Sequence, residues 1–228
     1  MVADIEPDAS SLSHTLEDAY AVESPDDCIR LYQNWSASYE DDILTKLGYV
    51  SYLRVVEAFV EEASRDDGPV LDVGCGTGVV GAALALQGGW AVDGLDISPA
   101  MLQVAAEKLN LAGEPVFGSL IEADLTQPLP IASNTYGAVI SAGTFTMGHV
   151  GPEALGELGR IVRPGGLVVL GVNTTFFNQQ GFDRFLAALE GEVAVAETAI
   201  GIERSYTNEH HDHGADTVHV VTLRIADH

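Results

Sequence analysis

Three carboxylates and three glycines hold the spacing in this sequence that could support chemistry. Asp72 sits in the apolar run Val70-Leu71-Asp72-Val73, and Gly74, Gly76 and Gly78 follow at alternate positions. Asp96 closes the next apolar run, and Asp124 stands at the end of a third. Alternate glycines remove the β-carbons from a turn, so its backbone can take φ > 0 and lie directly against a ligand. A helix beginning near Thr77 turns its free N–H groups and positive dipole end toward that turn. A carboxylate at the end of the following strand can accept hydrogen bonds from both hydroxyls of a ribose. This combination predicts a nucleotide-like ligand.

The elements that must position these groups follow from periodicity. Residues 1–25 read as an acidic, partly ordered tail with a helical turn around Thr15–Tyr20. From Asp26 an apolar helical pattern runs through Tyr32, Trp35 and Tyr39 to Leu47, where Gly48 stops it. A second helix spans about Tyr49–Ser64. After the glycine turn, Val79–Gln87 is a helix, Trp90–Asp96 a strand, and Ser98-Pro99 opens a helix to about Leu109. Val116–Ala123 and Tyr136–Ser141 read as strands, and Gly151-Pro152 opens a helix to Val162. Arg163-Pro164-Gly165-Gly166 is a turn into a strand at Leu167–Val172. A helix around Gly181–Leu189 precedes two alternating strands, about Val193–Ser205 and Thr217–Ile225. Strands alternating with helices predict a parallel, doubly wound α/β sheet, and the final pair predicts an antiparallel hairpin at one edge. In such sheets ligands sit beyond the C-terminal strand ends, where Asp72, Asp96, Asp124 and Ser141 fall.

Composition narrows the partners. The 34 acidic residues against 10 basic ones give a formal charge of −24. Such a surface repels phosphate backbones, so no nucleic-acid partner is expected. No apolar run reaches the length of a membrane span, and the acidic N-terminus reads as no secretion signal, so no membrane partner is expected and the location is expected to be cytoplasmic. Only Cys28 and Cys75 are present, and Cys75 lies inside the glycine turn, which suits a reducing compartment.

A glycine turn followed by a strand-end carboxylate suits two cofactors. Counted from Gly76, the run Gly76-Thr77-Gly78-Val79-Val80-Gly81 satisfies the G-x-G-x-x-G dinucleotide fingerprint, which would make an NAD(P)-dependent oxidoreductase. Such an enzyme would be expected to carry a Tyr-x-x-x-Lys pair, and neither Lys46 nor Lys108 has a tyrosine four positions before it. Four motifs in order favour the other cofactor. Asp72-Val73-Gly74-Cys75-Gly76-Thr77-Gly78, Gly94-Leu95-Asp96-Ile97-Ser98 with Met101, Ala123-Asp124-Leu125, and Val162-Arg163-Pro164-Gly165-Gly166 together resemble the class I S-adenosylmethionine-dependent methyltransferases. The segment Tyr32–Glu40 with Leu47-Gly48-Tyr49 further resembles the methyltransferase-like subgroup of the Williams–Beuren region.

The resemblance implies a Rossmann-like, mostly parallel seven-stranded sheet under N-terminal lid helices. One domain would cover 26–228, with the lid at 26–65 and the core at 69–228. It implies S-adenosyl-L-methionine as cofactor, with Gly74, Cys75 and Gly76 against its methionine part, Asp72 near its ammonium, and Asp96 on its ribose. Ile97, Met101 and Leu125 would form the adenine slot, with Asp124 accepting from the amine. Trp35, Tyr39 and Ser141 are added as cofactor-binding candidates, Tyr39 at the carboxylate end. The acceptor is expected to be a small molecule. Alignment and exclusion of water would do most of the work, with a base needed only when the acceptor carries a proton. His149 is the candidate base; ordinary structural packing is the alternative reading. The segment Asn208–Gly214 carries three histidines in a predicted hairpin loop, and its spacing is not that of a helix-borne ligand pair, so no metal is expected. A non-catalytic S-adenosylmethionine-binding protein stays open beside the enzyme. Nothing in the sequence reads out the oligomeric state.

Overall fold

The structure, a computed structural model, describes residues 12, 14–192 and 195–226. Residues 1–11 and 13 of the predicted tail therefore lie outside the described residues. Where description begins, Thr15 and Asp18 form a reciprocal capping box that starts α1 (Leu16–Tyr20). Ser24 caps α2 (Pro25–Trp35) by accepting from the Asp27 N–H, with Pro25 in the first turn as the sequence predicts. The helical run expected to continue to Leu47 breaks at Ser36 instead. Residues Asp41–Lys46 form wide π-helical turns, and α3 (Ser51–Glu62) follows. The break has a physical cause in Asp42, which is fully buried. Its carboxylate accepts from Trp35 Nε1 at 2.8 Å, Ser38 Oγ at 3.0 Å and Lys46 Nζ at 2.7 Å. A buried carboxylate needs such partners, and gathering them bends the chain.

The core is one seven-stranded sheet in the order β3-β2-β1-β4-β5-β7-β6. Its strands are β1 (Val70–Val73), β2 (Val92–Asp96), β3 (Phe117–Glu122), β4 (Tyr136–Phe145), β5 (Val162–Asn173), β6 (Val195–Arg204) and β7 (Thr217–Ile225). The first five pair in parallel, and β7 runs antiparallel between β5 and β6. Period-two alternation divides the buried side chains. Leu71, Val139, Val168, Leu170 and Val221 pack on one face, and Val70, Ala138, Ile140, Leu167 and Val169 on the other. The second face lies under α3 and α4 (Val79–Gln87), and α5 (Pro99–Ala105) packs beside β2 and β3. The first face lies under α6 (Leu155–Ile161) and the C-terminal helices.

Two further stretches depart from the sequence reading. Arg163-Pro164-Gly165-Gly166 is not a turn outside the sheet. β5 begins at Val162, opposite Tyr136, and the four residues bulge before Leu167 pairs with Ala138. Arg163 holds the bulge by donating to the Gly68 carbonyl at 2.9 Å. The second departure is α7 (Thr174–Gln180), which the sequence reading missed. Asn173 caps it, and Gly181 ends it in the left-handed region at φ 66° before α8 (Phe182–Glu192) begins.

Gly81, in the first turn of α4, yields a prediction against helix propensity. Alanine is worth about 1 kcal/mol more than glycine in an exposed helix interior. A β-carbon at Gly81 would lie 2.4 Å from Phe117 Cζ, and Phe117 is itself buried under the sheet edge. Gly81→Ala is expected to destabilise the protein by about 1–3 kcal/mol, the usual cost of overpacking. A urea midpoint equal to or above the parent's would contradict this packing.

Candidate functional site

The strand order reverses between β1 and β4, and a cavity of about 290 Å³ opens over the strand ends there. Its floor is the glycine turn. Gly74 and Gly76 take φ of 65° and 52°, values that favour glycine. A β-carbon on Gly74 would sit 2.0 Å from Thr144 Oγ1, whereas one on Gly76 would meet nothing within 4 Å. Gly74 is thus glycine because β4 presses on it, and Gly76 leaves its peptide bare to the cavity.

Asp96 does more than end β2. Its Oδ2 accepts from the Gly76 N–H at 2.8 Å, and its Oδ1 from the Ser98 N–H at 2.8 Å. One carboxylate therefore holds the turn and the start of α5 in register, and each oxygen keeps a further lone pair. Burial raises its pKa, opposed by these same N–H groups. Beyond it, Ile97, Met101, Asp124 and Leu125 line the same end of the cavity. Asp124 Oδ1 is occupied by the Thr126 backbone and hydroxyl at 2.8 and 2.7 Å.

α2 and the segment that follows it close the opposite side. Cys28 and Tyr32 of α2, then Tyr39 and Tyr49, face the glycine turn across the cavity. Burial pushes the Cys28 thiol up to about 12, with Asp96 and Asp124 adding to the effect. Both cysteines are free. Tyr32 is joined to the core by its hydroxyl, 2.7 Å from His149 Nε2, and His149 Nδ1 lies 2.9 Å from the Met147 carbonyl. A carbonyl only accepts, so Nδ1 carries the imidazole hydrogen and Nε2 accepts from the tyrosine. Burial lowers the His149 pKa, which keeps the ring neutral near pH 7.

Ten of the sequence candidates line this cavity: Tyr39, Gly74, Cys75, Gly76, Asp96, Ile97, Met101, Asp124, Leu125 and His149. Three do not. Trp35 is 1% exposed and stands behind Tyr32 and Tyr39, its indole turned to Asp42. Ser141 is buried under the floor, donating to the Val73 carbonyl at 2.6 Å. Asp72 is fully buried and accepts from the Gly81 N–H at 3.0 Å, so it braces the first turn of α4 from below. The sequence reading missed Cys28 and Tyr49. Pro25, Cys28 and Tyr32 do recur at helical spacing, a usable signal, but the position of Tyr49 depends on a long-range bridge to Tyr206.

The loop with three histidines serves that bridge. Thr207 N–H donates to the Gly48 carbonyl at 2.8 Å, and Asn208 Nδ2 to the Lys46 carbonyl at 3.0 Å. His213 lies 3.3 Å from Glu17 of α1 and 3.1 Å from Asp216. Among the described residues, no three His, Cys, Asp or Glu side chains converge as a metal site. Nor, among them, is any helix long and apolar enough to cross a membrane.

Comparison with known proteins agrees with this geometry. Residues 70–166 match the family described as a methyltransferase domain. The chain is 32% identical to methyltransferase-like protein 27 of Homo sapiens over 172 residues, 71% of this chain and 64% of that protein. Over 103 residues it is 35% identical to the 18S rRNA (guanine-N(7))-methyltransferase of Bos taurus, covering 41% of this chain and 34% of that one. The chain thus spans less than two thirds of the length of either relative. Among solved structures, the cyclase SpnF superposes with a TM-score of 0.66 at 15% identity, covering 91% of this chain and 98% of that one. The phosphoethanolamine N-methyltransferase 2 of Haemonchus contortus, solved with S-adenosylhomocysteine, gives 0.64 at 13% identity, covering 91% and 61%. The fold is the Rossmann-like one of the methyltransferases. Residues 70–166 thus match a methyltransferase domain, and the chain is similar to the class I S-adenosylmethionine-dependent methyltransferases, whose cofactor is S-adenosylmethionine.

The residues present fit that cofactor. Among the described residues, the buried hydroxyl of Thr77 on the cavity wall has no hydrogen-bond partner, and neither does Asp72 Oδ1. The Gly76 peptide is uncovered, and Asp96 retains acceptor capacity at the strand end, as a ribose diol requires.

Asp72 provides a pH prediction. Burial, with Asp96 nearby, raises its pKa to about 8, whereas in the unfolded chain it titrates near ~4. Between those values the folded protein keeps a proton that the unfolded chain has released. Its contribution to stability therefore falls as pH rises through that window and levels off above it. Asparagine does not titrate and can still accept from Gly81. The stability of Asp72→Asn relative to the parent, followed by urea unfolding, is expected to climb from pH ~4 to about 8. A pH-independent difference would exclude a raised Asp72.

Proposed function

We propose that this protein is a methyltransferase that uses S-adenosylmethionine to methylate a small-molecule acceptor, chiefly by aligning the reactants and excluding water. One observation carries the reading: the bare Gly76 peptide and the Asp96 carboxylate are hydrogen-bonded to each other at the edge of one cavity. In this reading Asp96 holds the ribose diol, and Ile97, Met101 and Leu125 flank the adenine, with Asp124 beside its amine. Gly74, Gly76 and Thr77 face the amino-acid end, and Tyr39 covers it from the lid. Asp72 and Ser141 keep the floor in shape, and Trp35 does the same for the lid. When bound, the cofactor supplies an electrophilic methyl group on a sulfur that is a good leaving group.

The chain's own contribution is then enclosure and, for a protonated acceptor, a base. Lid and core meet at the Tyr32–His149 hydrogen bond and at the Lys108–Glu40 ion pair, 2.6 Å long. The neutral imidazole can take up a proton at Nε2 through the Tyr32 hydroxyl, the role we assign to His149. A small acceptor suits a covered cavity, and a net charge of −24 suits an acceptor other than a nucleic acid. The bovine relative is named for an rRNA reaction and SpnF for a cyclisation, so fold alone does not choose the reaction. Two free cysteines, both buried, favour a reducing, cytoplasmic setting.

The test is calorimetry with S-adenosylhomocysteine. Losing the ribose partner is expected to cost about 2–4 kcal/mol in Asp96→Ala, more than about tenfold in affinity. Unchanged affinity in a folded Asp96→Ala would refute the reading.

A further inference from the structure

A second, smaller cavity of about 70 Å³ adjoins the first. Tyr32, Tyr39, Ile43, Tyr49, Gly143 and His149 line both, at the junction between them. Leu16 and Ala19 of α1, Tyr206 after β6, and Val218 of β7 close its far side. Two properties set it apart from the larger cavity.

The first is charge. Among the described residues, no Asp, Glu, Lys or Arg lines the small chamber, although the chain has 34 acidic residues. The larger cavity carries Glu23, Asp96 and Asp124. An ion entering the small chamber would lose hydration and meet no countercharge. The second is polarity without charge. Tyr32 shares a hydrogen bond with His149, and Tyr20, Tyr49, Ser51, Thr146 and Tyr206 bring further hydroxyl-bearing side chains to the chamber's walls. Because Tyr32 donates its hydrogen to His149 Nε2, its oxygen keeps lone pairs free to accept from a ligand hydroxyl. A cavity of ~150 Å³ takes a benzene ring, so this one seats a group of about three or four non-hydrogen atoms.

We propose that this chamber seats the methyl acceptor's reacting end, and that this end is an uncharged hydroxyl-bearing group hydrogen-bonded to Tyr32. The proposal rests on reading the larger cavity as the cofactor's. It sorts acceptors by charge: alcohols enter, and carboxylates, phosphates and ammonium groups do not.

Three probes of matched size test it by saturation-transfer NMR on the S-adenosylhomocysteine complex: 2-propanol, acetate and isopropylammonium. The measurement is made at about 1 M salt, where the Debye length is ~3 Å and the acidic surface no longer attracts the cation. The alcohol is expected to bind at least about tenfold more tightly than either ion. Ala19→Met, which extends a side chain into the chamber, is expected to abolish alcohol binding and leave S-adenosylhomocysteine affinity within about twofold. If that variant does not fold, Tyr32→Phe keeps the ring, removes the hydroxyl, and is expected to weaken the alcohol about fivefold or more. Equal binding of either ion, no binding of the alcohol, or alcohol binding indifferent to the variant that folds would overturn the proposal. Failure of S-adenosylhomocysteine to bind would instead overturn the reading of the larger cavity. The probe ranking, repeated on the ligand-free protein, would still decide the chamber on its own.

Discussion

Everything at the site depends on a backbone turn that cannot hold itself. Gly74, Gly76 and Gly78 are free to bend because they lack β-carbons, and the same freedom makes an unsupported glycine turn entropically costly to order. Two carboxylates supply the order. Asp96 fastens Gly76 to the end of β2, and Asp72 fastens Gly81 to the end of β1. Both are buried, and both are held above the ordinary carboxylate range. Desolvation is the leading cause in both cases. The unpartnered Thr77 hydroxyl on the cavity wall is a polar group that a bound ligand can complete.

The lid is built on a different logic. Its tyrosines and Trp35 form an apolar aromatic cluster with Tyr206, and polar contacts at the rim add to this packing. Asp42 gathers Trp35, Ser38 and Lys46 and so keeps the lid folded as a unit. The β6–β7 connection then grips it at Gly48, Lys46 and Glu17. Two of the three histidines in this loop are taken up by the attachment, His211 edge-on to Tyr206 and His213 between two carboxylates, and His210 is exposed.

Within the described residues, the core was legible from the sequence because its signals are local. Alternating valines and leucines name the strands, Ser24-Pro25 and Ser98-Pro99 name helix starts, and alternate glycines name the turn. The same locality explains the misses. A helix-compatible pattern from Asp26 to Leu47 gives no sign that Asp42 will be buried. Nor does Arg163-Pro164-Gly165-Gly166 reveal that Val162 already pairs with Tyr136. Trp35 was credited with a ligand because a tryptophan near a site invites it; its indole N–H found a carboxylate inside the lid instead.

By itself the sequence determined which backbone can lie bare against a ligand and which strand ends carry acids, since φ > 0 and strand alternation are properties of short segments. Tertiary structure alone decided which of those acids faces the cavity. Asp72 and Asp96 are alike in sequence context, yet only Asp96 reaches the lumen, because β2 ends at the cavity edge and β1 ends beneath α4. It also decided that Tyr32 meets His149 across 117 positions, and that an uncharged chamber lies behind them. Such meetings are set by how helices and strands pack over long separations, and no local pattern encodes that distance.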